Sequence, residues 1–325
     1  MSNATHTPVS GSKLGSVARQ PRTQVGGAVY WQKWTEFSEQ KISKDLKSIE
    51  QPLANPVYES QFTFDTALEN RRLMLRRYYR GDDISALAPH FPGLLDAWEL
   101  SNRLAEEICC EHDLKHCRDW TFSLSDLNHY NLCFWLVGLA LALEIPDEQW
   151  FRLVALIGGE GEDKLLDKII ASRKPGRRLG DGVLHPKPYA RLLKTINAPR
   201  DQQAILLREF VDHWYPELER TGKQHLWWYD FGDPEKHPLE MGSYFGRWCI
   251  EAVAAVKAFG IDDSLCLDHP HYPGDLIQDG RSPRYPDPET PPPPDMRYVK
   301  FGTDAKESRL SEWISRVVFG SRPRS

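Results

Sequence analysis

Several common catalytic signatures are missing from this 325-residue sequence. It holds no Gly-x-Ser-x-Gly elbow, no His-Glu-x-x-His and no nucleotide-binding fingerprint. The local patterns that mark serine hydrolases, zincins and dinucleotide enzymes are therefore absent. No Cys-x-x-Cys occurs among the six cysteines (Cys109, Cys110, Cys117, Cys133, Cys249 and Cys266). Cys133 and Cys249 sit in apolar helical patterns as small hydrophobes, which fits a reducing compartment better than a disulfide scaffold. The N-terminus lacks an apolar segment of secretory type. The longest apolar run, Leu132 to Leu143, is too short to cross a bilayer and reads as a buried helix. Strand-like alternation is missing too, and no fixed period of self-similarity argues for a solenoid.

Aromatic residues are plentiful. Eleven tryptophans are more than a surface needs, so most are expected in a core. The net charge of −5 argues against a nucleic-acid binder, and it is unevenly placed. Residues 1–55 carry seven Lys/Arg against four Asp/Glu, which leaves −8 on the rest. An acidic body of this kind suits a basic partner, although an ordinary acidic cytosolic surface has the same composition.

The apolar spacing predicts an all-α chain. Residues 1–55 read as an N-terminal arm, mobile to about residue 28, with Tyr30 to Trp34 docking it on the body. Helices are predicted through Leu68, Leu75 and Tyr79, stopped at Gly81, and through Phe91 to Ile108 with Pro92 in the first turn. Asn131 to Leu143 is apolar on nearly all sides and should be central. Further helices follow Pro146 and Asp163. Residues 173–182 concentrate breakers and charge, so a division is placed there, giving helical domains at 56–175 and 176–280. Helices resume at Tyr189 to Ile196 and Ala204 to Trp214, the latter ended by Pro216. Tyr244 to Phe259 reads as one apolar helix stopped by Gly260, with Ile261 making the contact of such a stop. Pro270 and Pro273 should keep the next segment extended. Residues 281–325 form a Pro-rich extension, with an amphipathic piece at Leu310 to Phe319.

Two clusters resemble metal sites. Cys110-x-His112-x-x-x-His116-Cys117 offers four ligands, but it lacks a zincin glutamate and a remote Cys pair, so it reads as a helix end. Asp268, His269, His271 and Asp275 read rather as a turn whose side chains bond neighbouring backbone. Gly158 to Asp163 is glycine-rich ahead of a helix. It lacks the Lys-Ser/Thr ending of a phosphate loop, and its three carboxylates would repel phosphate. No metal and no cofactor is expected, and nothing here builds a reaction centre.

The run FGRWCIEAVAAVKAFGIDDSLCLDHPHYPGDL (Phe245 to Leu276) resembles the C-terminal signature of the PoNi family, immunity proteins of polymorphic nuclease toxins. The lead-in Trp228-Tyr229-Asp230, with His237 beyond it, fits the same pattern with a longer spacer. RRLMLRRYYRGDDISALAPHFPGLLDAWE (Arg71 to Glu99) is similar to that family's N-terminal domain. The resemblance covers roughly residues 56–280 and implies a non-enzymatic cytoplasmic protein that binds a cognate nuclease toxin, of a type VI secretion system, and occludes its active site or DNA cleft. It implies no direct contact with nucleic acid or membrane and leaves the oligomeric state open. Aromatic anchors and carboxylates near the signature are then the expected contact residues. These are Trp227, Trp228, Tyr229, Asp230 and Asp233 before the helix, and Asp262, Asp263 and Asp268 after it, with Glu160, Glu162 and Asp163 as a second anionic lobe. The competing assignments are core for the aromatics and a turn cap for Asp262-Asp263. A helical adaptor for an effector, or a metal-dependent hydrolase using the His-rich segments, are the alternative functions.

Overall fold

Apolar residues at steps of three and four become helices along the chain, and the computed structural model has no strand among its described residues, 20–23, 25–50, 56–112, 122–244 and 246–277. The start of the arm expected to be mobile, the Pro-rich extension with its Leu310–Phe319 piece, Phe245, His116 and Cys117 lie outside them. The all-α class is as expected. In chain order the helices are α1 (Gly27–Ile49), α2 (Glu59–Arg80), α3 (Phe91–His112), α4 (Leu127–Ala142), α5 (Asp147–Ile157), α6 (Lys164–Ala171), α7 (Pro186–Asn197), α8 (Arg200–Glu217), α9 (Trp227–Phe231) and α10 (Ile250–Phe259). Short 3-10 turns punctuate them, among them Ser264–Cys266 and Gly274–Leu276.

Helix ends follow local chemistry. Gly81 closes α2 in the left-handed region at φ 92°, and Gly260 closes α10 at φ 62° with its N–H on the Val256 carbonyl. Asp163 caps α6, its carboxylate accepting the Leu166 N–H at 2.7 Å. Residues 27–49, read from sequence as part of the arm, form α1 and pack on α2. Trp31 is fully buried there and stacks on Tyr79 at 4.6 Å. Below it Arg76 donates to the Trp34 carbonyl (3.2 Å), Glu69 (2.9 Å) and the Gly242 carbonyl (3.1 Å). Burial alone would raise the Glu69 carboxyl, but Arg72 and then Arg76 outweigh it and hold it well below the usual range.

Helix α4, buried nearly all round as its composition predicts, packs on α10 at the centre of the molecule. Gly138 permits the close approach, since a Cβ there would sit 2.7 Å from Ile250 Cγ2 and 2.8 Å from the Ile250 carbonyl oxygen. One apolar core runs from Tyr30 to Leu276 without a break into halves.

Two local expectations are corrected. The helix predicted from Tyr244 starts only at Ile250. Gly246, at φ 85°, lies against Tyr79, where any Cβ would fall within 1.8 Å of the ring, and the Cys249 N–H bonds the His271 carbonyl at 2.8 Å. Tertiary packing has overridden the helical period, although Tyr244, Trp248 and Cys249 are buried as the pattern requires. The segment after Asp268 is not extended but a series of turns, with the Tyr272 N–H on the His269 carbonyl at 3.0 Å and a 3-10 turn from Gly274.

The two ends of the described chain are clasped together. Arg22 Nε and the Tyr78 hydroxyl both donate to the fully buried Asp275 carboxylate. Arg22 Nη1 also donates to the carbonyls of Tyr78 (2.6 Å) and Asp82 (2.9 Å). Removing one member strands a buried charge, so Asp275→Ala is expected to lower unfolding free energy by about 3–5 kcal/mol. Tyr78→Phe, which deletes one hydrogen bond, should cost about 1 kcal/mol. Denaturant titration of the three proteins measures both differences, and equal losses would contradict the clasp.

Candidate interaction site

The signature segments before and after α10 meet on one helix, α8. Its residues Asp201, Ile205, Arg208 and Asp212 recur at steps of four, three and four, so they share one face. The Ser264–Cys266 turn packs on α8. Arg208 fixes the turn, donating to the Leu265 carbonyl, to Asp268 and to Asp212, each at 2.8 Å. His269 Nε2 lies 3.3 Å from the same Asp212 oxygen. Two large aliphatic side chains remain in water on this face, Ile205 at 64% and Leu265 at 47% exposure.

The other end of α8 carries the lead-in. Tyr215 stacks on Tyr229 of α9 at 4.6 Å and meets the His271 ring at 5.1 Å, and Arg247 lies over the Tyr215 ring at 4.6 Å. Asp233 takes Arg247 (3.4 Å) and Lys236 (3.5 Å), and Asp230 faces His225 at 3.3 Å. Burial lowers the pKa of His269, and pushes that of His271 down to about 4. His271 Nδ1 bonds the Arg247 carbonyl at 2.9 Å, and the His271 backbone N–H donates to His269 Nδ1 at 3.1 Å. Both imidazoles thus hold a turn together. Among the described residues no group of three or more His, Cys, Asp and Glu is placed to hold a metal.

The expected contact residues divide sharply by exposure. Asp262 and Asp268 are exposed; Tyr229, Asp230, Asp233 and Trp227 are half-buried. Asp263 is buried and accepts the Tyr272 hydroxyl at 2.7 Å, so it holds the turn from inside. Trp228 is buried between Trp135 (5.0 Å) and Trp214 (6.0 Å). Asp163 is buried as well, its second oxygen accepting the Leu184 N–H at 2.7 Å. Glu160 and Glu162 are exposed, but on the α5–α6 loop and not on α8. Glu160 there accepts the Arg178 N–H at 2.9 Å and has Lys174 at 3.9 Å, so its charge is partly spent. Sequence reading overlooked Ile205, Arg208, Asp212, Leu265 and Tyr215. The signal for the first of these was an isoleucine standing alone on an otherwise charged helical stripe.

A buried polar hub sets the position of α9. Asn131 of α4 accepts the Trp228 indole N–H at 2.9 Å and donates to Glu251 of α10 at 3.0 Å. The Tyr189 hydroxyl of α7 donates to the same Glu251 oxygen at 3.0 Å. The Trp135 and Trp214 indole N–H groups face this carboxyl without full hydrogen-bond geometry. Glu251 is fully buried with no ion-pair partner among the described residues, and burial pushes it up to about 7 against these donors.

The all-α body and its shared aromatic and acidic surface define a helical protein built from two sequence regions. Residues 22–155 match the model described as PoNe immunity protein (PoNi), N-terminal, and residues 161–276 match PoNe immunity proteins (PoNi), C-terminal. The chain belongs to the PoNi family and is, by that membership, an immunity protein. The junction between the matched regions falls at 156–160, ahead of the 173–182 division read from sequence, and the first region takes in α1. No curated protein matches the chain. Among solved structures, the crystal structure of protein PA2201 from Pseudomonas aeruginosa is similar in fold, with a TM-score of 0.63 at 18% identity over 81% of this chain and 91% of that one. No helix among the described residues is long and apolar enough to cross a membrane.

Glu251 should leave a pH signature. Its carboxyl ionises near 4.5 when unfolded but keeps its proton to about 7 when folded. The folded state thus binds more protons between these values, so stability falls as pH rises from about 4.5 to about 7 and is level above. The difference is on the order of 3 kcal/mol. Glu251→Gln cannot ionise and is expected to lose this part of the slope, measured as unfolding free energy at pH 5, 6, 7 and 8. A variant whose profile parallels the parent would contradict it.

Proposed function

We propose that this immunity protein neutralises a cognate antibacterial nuclease, an effector of a type VI secretion system, in the cytoplasm of the cell that makes it. It covers the nuclease's active site or DNA cleft with the α8 surface. The observation that carries this reading is the pairing of exposed aliphatic residues with carboxylates on a face built by α8 and the signature turn after α10. Ile205 and Leu265 stand among Asp212, Asp262 and Asp268. A nuclease must present a basic cleft to bind phosphates. Carboxylates placed where phosphates would lie speed encounter, and aliphatic or aromatic anchors then bury area at the centre.

The ion pairs already on this face are no obstacle. Arg208 serves Asp212 and Asp268 together, and the Asp268 side chain is 80% exposed. Exposed pairs of this kind are worth about 0–1 kcal/mol, so a partner's cation replaces Arg208 at little cost.

Co-expression with the toxin encoded beside it is expected to restore growth, and mixing the purified proteins to abolish DNA cleavage. Binding without rescue would instead favour an adaptor. Asp262→Lys combined with Asp268→Lys should slow association by about tenfold or more at low salt while folding is retained. Stopped-flow association across ionic strengths reads this directly, and an unchanged rate would remove this face from the interface.

A further inference from the structure

The cleft at the far end of α8 has a chemistry of its own. It encloses about 410 Å³ and is lined by Glu219, Arg220, His225, Leu226, Tyr229, Asp230 and neighbours. Its cations are engaged elsewhere. Arg220 Nη1 donates to the Glu217 carbonyl and to the Glu219 carbonyl (2.7 Å), and Nη2 to the Lys187 carbonyl at 2.6 Å. Lys236 is drawn to Asp233 at 3.5 Å. The carboxylates are less committed. Asp230 has His225 at 3.3 Å, and Glu219 is exposed. The half-buried ring of Tyr229, steadied by its stack on Tyr215, lines the cleft with them.

An aromatic face beside two carboxylates is the environment that a guanidinium prefers. The planar cation stacks on the ring while its fork of N–H groups takes the oxygens, whereas an ammonium makes only point contacts. The molecule already uses this arrangement within itself, in Arg247 over Tyr215 with Asp233 at its head. We propose that the cleft is an anchor site for one arginine side chain of the bound protein partner, with the guanidinium on Tyr229 and its N–H groups on Asp230 and Glu219. This rests on the neutralisation reading above and adds which residue type the partner must supply and where.

The experiment measures the affinity of the full chain for the toxin encoded beside it, for the parent, for Glu219→Gln with Asp230→Asn, and for Tyr229→Leu. Glu106→Gln with Glu107→Gln, exposed on α3, serves as the charge control. Removing the two carboxylates is expected to weaken binding about thirtyfold, mostly through faster dissociation, and the control to change it less than twofold. Each toxin arginine is then changed to lysine. One of these changes should weaken binding to the parent about tenfold or more, yet add nothing to the carboxylate-deleted variant. Circular dichroism of the variants checks the fold, and the isosteric pair Glu219→Gln and Asp230→Asn carries the result if Tyr229→Leu unfolds. Affinity unchanged in the carboxylate-deleted variant, or no toxin arginine coupled to it, overturns the anchor while leaving neutralisation intact. A parent chain that binds no toxin at all overturns the neutralisation reading itself.

Discussion

Asn131 is a buried polar residue in the second turn of a helix that is wholly apolar beyond it, and much of the C-terminal half is tied together through it. Its amide joins three elements at once: α10 through Glu251, α7 through Tyr189 and α9 through Trp228. Each of those groups is buried, so each must find a partner inside, and an unmet one costs about 1–3 kcal/mol. Apolar packing alone would let α9 slide along α4, because one tryptophan contact is much like the next. The directional bond to the Trp228 indole specifies one position, together with Asn128, which accepts the Trp227 N–H and donates to the His225 carbonyl, each at 3.0 Å. Tyr229 and Asp230 follow it in sequence, so the hub decides where they reach the surface.

The Arg22–Asp275–Tyr78 clasp does the same for the chain as a whole. Arg22 precedes α1 and Asp275 lies in the last of the signature turns, so a contact across most of the sequence ties down the segment that packs beside α8. Tyr78 and Tyr79 of α2 add a rigid aromatic wall, with Trp248 at 5.9 Å from each ring. Gly246 must lie flat against that wall, and this is why the apolar pattern beginning at Tyr244 does not turn into helix until Ile250.

Helix positions were legible wherever the period of apolar residues agreed with a local stop. Gly81, Gly260 and the Asp163 cap are examples in which chemistry within a few residues sets the boundary. The reading went astray where a distant contact decided. Residues 244–249 could be understood only with Tyr79 in place. The long helix α1 has a weakly apolar sequence, and buried Tyr30 and Trp31 with polar contacts from Ser38 and Glu39 to α2 seat it. Of the candidate surface, the segments flanking α10 stood out in the sequence, but nothing in the linear order says that α8 joins them, since that follows from how α7, α8 and α10 pack.

The carboxylates show most clearly why burial must be known before a role is assigned. Asp262 and Asp263 are adjacent and identical in type, and a sequence reading treats them as a pair. The first faces water and accepts the Ser264 N–H at 3.0 Å. The second is buried and bonds the Tyr272 hydroxyl. The same division runs through the molecule. Asp163, Asp167 and Asp275 are buried and satisfied by backbone N–H groups, arginines or tyrosines, whereas Asp230, Asp268 and Glu219 hold loosely paired positions at the surface. A buried carboxylate has its partners fixed by the fold and cannot exchange them without losing several kcal/mol. An exposed one gives up its intramolecular partner at almost no cost. The two kinds serve differently, the first holding loops in place and the second remaining available on them. The chain sets the two side by side within a single turn.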